Sequence, residues 1–297
     1  MPEIKFLTHS QIDQNLWDVC VQAAPNNLVY AYSWYLNALC GNEWNAVVIG
    51  NYEAVFPLPY RKKWGISYIY QPFFCQQLGL FGQNNGVHIH DVLNAIPSKY
   101  RRVHLQLNPA HLPEKNIQFK TNYLLDLNQP YAELKKAYNK DAKQNIKKYA
   151  QLPIVFSKTS NPQLVLELHQ NVWGEKDAKL RPTDYSRFID VCEAAKIKSC
   201  FFTIEAHLNG ELLGAAIFIQ SAHRLHYLVS GPTAKGREIS IMHGIIDYII
   251  QTFAEQKLIL DFEGSEIPEV AKFYKKWGAQ PEKYGVFLWN RLLNNKL

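Results

Sequence analysis

The stretch from Leu258 to Tyr284, LILDFEGSEIPEVAKFYKKWGAQPEKY, admits few local structures because each of its junctions is chemically marked. Leu258, Ile259, Leu260 and Phe262 form a short apolar run of the kind that makes a strand buried on both faces. Gly264 and Ser265 supply a turn and a hydroxyl able to cap a helix, and Pro268 suits a first helical turn, where its missing N–H would have no partner anyway. Val270, Phe273, Tyr274 and Trp277 fall at i, i+3, i+4 and i+7, one apolar stripe that Lys272, Lys275 and Lys276 avoid. Gly278 closes the helix. On these grounds alone the segment is a strand, turn, helix and strand of an α/β domain.

The rest of the chain extends this pattern. Ile154 to Ser157 reads as a strand, Gln163 to Val172 and Thr183 to Ala195 as helices, and Ser199 to Ala206, Glu211 to Gln220 and Arg224 to Ser230 as strands. Asn209-Gly210 is a strong hairpin signal, and Ile239, Met242, Ile246, Ile249, Ile250 and Phe253 make one apolar helix face. Earlier, Gln11 to Ala23 and Tyr30 to Leu39 read as helices, Ala46 to Ile49 and Ala54 to Pro59 as strands. The run Pro57 to Lys63 is expected to leave the sheet, Gly65 to Tyr70 to return to it, and Arg101 to Leu107 and Tyr123 to Leu127 to add strands. Between the halves lies a basic helix carrying Lys135, Lys136, Lys140, Lys143, Lys147 and Lys148 against only Glu133 and Asp141. It is either a solvated face or a surface for a phosphate-rich partner. The 297 residues then divide at 1–128, 129–150 (the basic helix) and 151–297.

The motif Ala271-x-Phe273-Tyr274-x-x-Trp277-Gly278-Ala279 resembles the one near the end of the GNAT acyltransferase fold. The string Asp261-Phe262-Glu263-Gly264-Ser265 before it, and Tyr123-Leu124-Leu125-Asp126-Leu127 leading to Asn145-Ile146-Lys147-Lys148, are similar to the FemAB branch of that superfamily. Where the family pattern often has arginine before the Asn-Ile step, this chain has Lys143 and Gln144. The resemblance implies an α/β protein with mixed (α+β) sheets, built as two tandem GNAT-like domains, the second more complete than the first. It also implies an N-acyltransferase or aminoacyltransferase that moves an acyl group from a carrier, acyl-CoA or aminoacyl-tRNA, to an amine acceptor. The cleft is expected where the second domain meets the first.

Amide formation needs a neutral amine, an oxyanion donor and a proton for the leaving group. By motif position Tyr274 matches the GNAT tyrosine that protonates the leaving group; on residue pattern alone it is equally a core tyrosine. Asp261 and Glu263, two apart at a strand end, share a side and are candidates for base or amine orientation, or for capping the next helix. In the expected phosphate loop, Pro232 to Ser240, the candidates are Lys235, Gly236, Arg237 and Ser240, with Tyr227 and Ser230 on the strand before it. Gly236 stands alone there, where two spaced small residues are usual, which weakens acetyl-CoA as donor. Gln76 and Gln77, in an apolar loop dense in amides, are either a buried turn or an acceptor-binding wall.

No tightly bound cofactor and no metal are expected, since the histidines lack carboxylates at ligand spacing and no G-x-S-x-G elbow is present. The five cysteines are spread without C-x-x-C pairing and read as reduced, mostly buried thiols. No window reads as a membrane span, so a cytoplasmic protein is expected. The competing reading is a non-catalytic ligand- or RNA-binding protein that keeps the double fold; transfer RNA is a possible partner under either, and its binding would weaken steeply with salt.

Overall fold

The computed structural model describes residues 2–83, 86–173, 180–264 and 266–291. Ser265, read above as a helix cap, lies outside them. The chain forms two compact units, one of residues 1–120 with 283–297 and one of residues 121–282. These units do not follow the linear division at 128 and 150, for a reason visible in the strand pairing.

In the first unit, β1 (Ile4–Leu7) is followed by α1 (Gln14–Ala23), α2 (Ser33–Cys40), β2 (Trp44–Ile49), β3 (Ala54–Lys63), β4 (Ile66–Ile69), the short β5 (Phe81–Gly82), α3 (Ile89–Asn94) and β6 (Tyr100–Leu107). β1, β2, β3 and β4 pair antiparallel in turn, and β6 lies parallel to β4. Asp13 starts α1 by accepting the N–H groups of Asn15 and Leu16. The run expected to leave the sheet at Pro57 instead stays in β3, which pairs with β2 through Pro59 and with β4 from Tyr60 to Lys63. Tyr60 N–H bonds Glu43 on the β2 side while the Pro59 carbonyl accepts from Tyr70 on the other, so both prolines turn their missing N–H away from β2.

The second unit holds most of β7 (Ile117–Asp126), then α4 (Tyr131–Lys136), α5 (Lys140–Tyr149), β8 (Ile154–Thr159), α6 (Pro162–Trp173), α7 (Pro182–Ile197), β9 (Phe201–Leu208), β10 (Glu211–Gln220), β11 (Arg224–Pro232), α8 (Ala234–Glu238), α9 (Ile241–Phe253), β12 (Ile259–Asp261) and α10 (Pro268–Lys275). β8, β9, β10 and β11 pair antiparallel in turn, and β12 lies parallel to β11. Strand, two helices, three strands, helix and parallel strand thus occur in both units. In each, one further antiparallel strand completes the sheet, and it comes from the other half of the chain. β7 pairs β12, and β13 (Gln280–Asn290) pairs β6.

The basic stretch expected as one helix is two, because Asn139 interrupts it and caps α5 by accepting the Ala142 N–H. α5 buries Ala142, Asn145, Ile146 and Tyr149 and leaves Lys140, Lys143, Lys147 and Lys148 exposed. The core of the second unit forms around α9, whose Ile241, Ile245, Ile246, Ile249 and Ile250 are buried, each contributing about 1.5–3 kcal/mol. On the same helix Asp247 is also buried, and its carboxylate accepts the hydroxyls of Tyr131 (2.8 Å), Tyr138 (3.0 Å) and Tyr149 (2.6 Å). Three neutral donors solvate the charge and tie α4 and α5 to α9. Burial and the nearby carboxylate push all three phenols above their ordinary pKa, so the hydroxyls remain donors. Asp247→Ala, which strands the three hydroxyls, should cost about 3 kcal/mol in urea unfolding; an unchanged midpoint would show that the carboxylate does not hold these helices.

Candidate functional site

β11 and β12 pair only over Arg224–His226 and Ile259–Asp261. Beyond that point β11 runs on to Pro232, whereas Phe262 N–H turns to the carbonyl of Tyr123 on β7. Two parallel strands therefore separate at His226 and Asp261, and the second half of β11 carries a bulge at Leu228, because Tyr227 faces Phe218 while Val229 faces Ile217. The turn after β12 is tight. Glu263 and Gly264 have φ of +64° and +61°, and a Cβ on Gly264 would stand 2.3 Å from the Thr121 carbonyl oxygen.

Charged groups gather where the strands part. Asp261 is buried; its Oδ1 accepts from Asn122 Nδ2 (2.8 Å) and from the Glu263 N–H (2.9 Å), and its Oδ2 from Arg224 Nη1 (2.6 Å). These bonds make it the group that orients its neighbours. His226, fully buried, brings Nδ1 to 3.0 Å from Glu263 Oε1 and Nε2 to 3.4 Å from Ser221 Oγ. The Glu263 side chain is 15% exposed, so it is the carboxylate of the pair that solvent reaches. A left-handed φ on a non-glycine residue costs of order 1 kcal/mol or more, and here the Asp261 and His226 bonds hold it. His226, Asp261 and Glu263 offer ligand atoms within 4.8 Å of one another, a spacing that would accept a divalent ion; Arg224 already compensates one of the carboxylates.

Of the residues singled out in the sequence, Tyr227, Asp261, Glu263 and Tyr274 come together. Tyr274 is 9% exposed, its ring 4.9 Å from Phe262 and 6.4 Å from Tyr227. Burial first, then Tyr227 and the two carboxylates, raise its phenol well above the ordinary value, and burial raises Tyr227 to about 12 against the lowering effect of its 2.5 Å contact with Ser230. Both phenols are protonated at neutral pH.

The remaining candidates make contacts of their own. Thr233 caps α8 by accepting the Gly236 N–H at 3.1 Å, and a Cβ at Gly236 would lie 1.8 Å from the Leu213 carbonyl oxygen, so this glycine lets α8 pack on β10. Lys235 pairs with Glu211, and Arg237 is exposed. Ser240, at φ +59°, precedes α9 and makes no side-chain cap. Gln77, in the first unit, is buried and donates to Gln76 Oε1 at 2.7 Å; Gln71 donates to the Cys75 carbonyl and accepts from the Gln106 N–H, so Gln71 serves the loop backbone. The cysteines are free thiols, and burial raises Cys20 and Cys200 to about 11.

Arg224, His226 and Asn122 were not anticipated as site residues. The signal was periodicity: Arg224-x-His226 and Asp261-x-Glu263 each place two polar groups on one side of a strand, but only the parallel register sets His226 opposite Asp261.

No protein-family model matches the sequence, and no curated protein matches it. Solved structures do. FemX aligns with a TM-score of 0.70 at 12% identity, over 95% of this chain and 97% of its own. Its fold is FemX-like. L-PGS from Bacillus licheniformis (TM-score 0.54, 12% identity, 96% of this chain and 93% of that one) and a tandem GNAT protein from the clavulanic acid biosynthesis pathway (0.50, 12%, 96% and 98%) share it. The fold expected from the sequence resemblance, two GNAT-like units in a mixed α/β protein, is therefore present.

Elsewhere in the second unit another ionisable group is held neutral. His243 on α9 meets Phe273 edge-on at 4.9 Å and Trp277 at a tilt at 5.7 Å, with Asn145 at 3.5 Å and Asp141 at 3.8 Å, and Asp141 also pairs with Lys276. Burial, reinforced by Lys276, lowers His243 to about 4. The unfolded chain takes up this proton near pH 6.5 and the folded chain only near 4, so its contribution is complete above 6.5 and fades between 6.5 and 4. Acidification across that window is expected to cost up to about 3 kcal/mol, and His243→Gln should remove that part of the pH dependence. Equal slopes in the two proteins, measured by urea titration at each pH, would contradict the assignment.

Proposed function

We propose that this chain is an acyltransferase that joins an acyl or aminoacyl group to an amine by direct transfer, with no covalent enzyme intermediate. The observation that carries the reading is Glu263, a solvent-reachable carboxylate in a left-handed conformation at the point where β11 and β12 part, fixed by His226 and by its own N–H on Asp261. The FemX-like fold supports it. In this reading the amine attacks the acyl carbonyl and Glu263 takes its proton, while Asp261 and His226 act as positioning residues. As the tetrahedral intermediate collapses, the Tyr274 phenol gives its proton to the departing oxygen or sulfur; its raised pKa keeps that proton available.

The donor we favour is an aminoacyl-tRNA rather than acyl-CoA. The Gly236 N–H is taken by Thr233 and Lys235 by Glu211, so the loop offers few donors to a pyrophosphate, while Lys140, Lys143, Lys147 and Lys148 present an exposed basic face. We assign the protein to the cytoplasm on the same reading.

Glu263→Gln should lower kcat by about a hundredfold or more without moving the melting temperature, and Tyr274→Phe by about tenfold or more. His226→Gln, which loosens the Glu263 carboxylate without removing it, should lower kcat with KM little changed. Full turnover in Glu263→Gln would remove the proposed base. Calorimetric titration with acetyl-CoA should show no binding, and an aminoacylated RNA minihelix should bind with an affinity that falls steeply with salt; the reverse pattern would overturn the donor assignment.

A further inference from the structure

The hairpin joining β3 to β4 is built against local preference. Lys63 faces Ile66 across the two antiparallel strands, so the turn is Trp64-Gly65, with φ of +49° and +80°. Two positive φ values are what a two-residue hairpin of the favoured twist demands, and Asn-Gly or Asp-Gly is the ordinary solution. Here the first position holds tryptophan, a bulky residue for which that conformation is strained. Nothing in the fold compensates, since Trp64 is 89% exposed and Ile66 beside it 48%. Lys63 Nζ lies 4.6 Å from the Trp64 ring centroid, a contact within the hairpin itself.

Charge is ordered along the same hairpin. From Arg61 to Tyr70 the sequence is RKKWGISYIY, with three cations and no carboxylate. The apolar pair sits at the tip, Lys62 and Lys63 stand next to it, and Arg61 follows, its guanidinium 4.2 Å from the Tyr70 ring centroid. This is the order of groups at a bilayer surface, where an indole settles at headgroup depth, an aliphatic side chain enters beside it, and lysines above meet lipid phosphates. Single-stranded nucleic acid is a poorer match, because it needs flat aromatic platforms alternating with cations, and the second apolar residue at the tip is isoleucine.

We propose that the Trp64–Ile66 hairpin tip is a docking element for an anionic lipid surface, inserting Trp64 and Ile66 at the headgroup level with Lys62 and Lys63 on the phosphates. It is a peripheral contact, and no helix among the described residues is long and apolar enough to cross a membrane.

The test is co-sedimentation of the whole chain with phosphatidylcholine vesicles and with vesicles about one third phosphatidylglycerol at moderate salt. Wild type should partition at least about tenfold more strongly onto the anionic vesicles. Trp64→Asn, the residue the turn prefers, should weaken that binding about tenfold while leaving the melting temperature equal or higher. Lys62→Glu with Lys63→Glu should abolish the preference for anionic lipid. The proposal is overturned if wild type ignores both vesicles, if Trp64→Asn binds as wild type does, or if Trp64 is needed for a single-stranded oligonucleotide and not for vesicles.

Discussion

Three residues of β12 pair with β11, and the pairing stops at Asp261 because Glu263, the next residue whose backbone would face β11, turns to a left-handed φ of +64°, and the Glu263-Gly264 turn presses against Thr121. A longer β12 would have satisfied β11 to its end and closed the sheet. Stopping it early leaves the second half of β11, with its bulge at Leu228, beside a carboxylate in a conformation that only surrounding hydrogen bonds can hold. Buried Asp261 provides one of those bonds through the Glu263 N–H and His226 the other, while Arg224 and Asn122 also donate to the Asp261 carboxylate.

A second buried carboxylate has a different task. Asp247 joins α4, α5 and α9 through three tyrosine hydroxyls without a cation, so the lysines of α5 remain on its outer face. That division makes the helix bifunctional in a physical sense: one side anchors by hydrogen bonds within the core, and the other carries unburied positive charge that a polyanion can meet without displacing internal contacts. Gly236 and the loop around it go the other way. A glycine in a basic loop invites a phosphate reading, but the space its missing Cβ leaves is filled by the Leu213 carbonyl, and the demand for glycine comes from packing.

Much of the fold was legible in the chain because its elements are locally consistent. The apolar face of α9, the Asn209-Gly210 hairpin, the helices α6 and α7 and the strand–turn–helix after Leu258 all follow from periodicity and turn chemistry, each of which is set by near neighbours. The tandem GNAT-like architecture followed from motif resemblance and is what the FemX-like fold displays. Misreadings arose where the deciding partner was distant. Pro57 and Pro59 read as the end of a strand, but which side of β3 their missing N–H faces depends on β2 and β4; the break in the basic helix is by contrast local, since Asn139 caps α5 three residues on.

The sequence by itself determined most of the elements and the shared side of Asp261 and Glu263, since the strand period places alternate residues on one face, while Tyr274 stood out through the motif resemblance. Tertiary structure decided which of them meet. His226 joins Glu263 only because a parallel crossover through α9 brings β12 beside β11 in one register, and β7 and β13 complete sheets in units that linear order assigns to the opposite halves. Pairing between strands more than thirty residues apart is set by the global burial of their faces, and no local pattern encodes it.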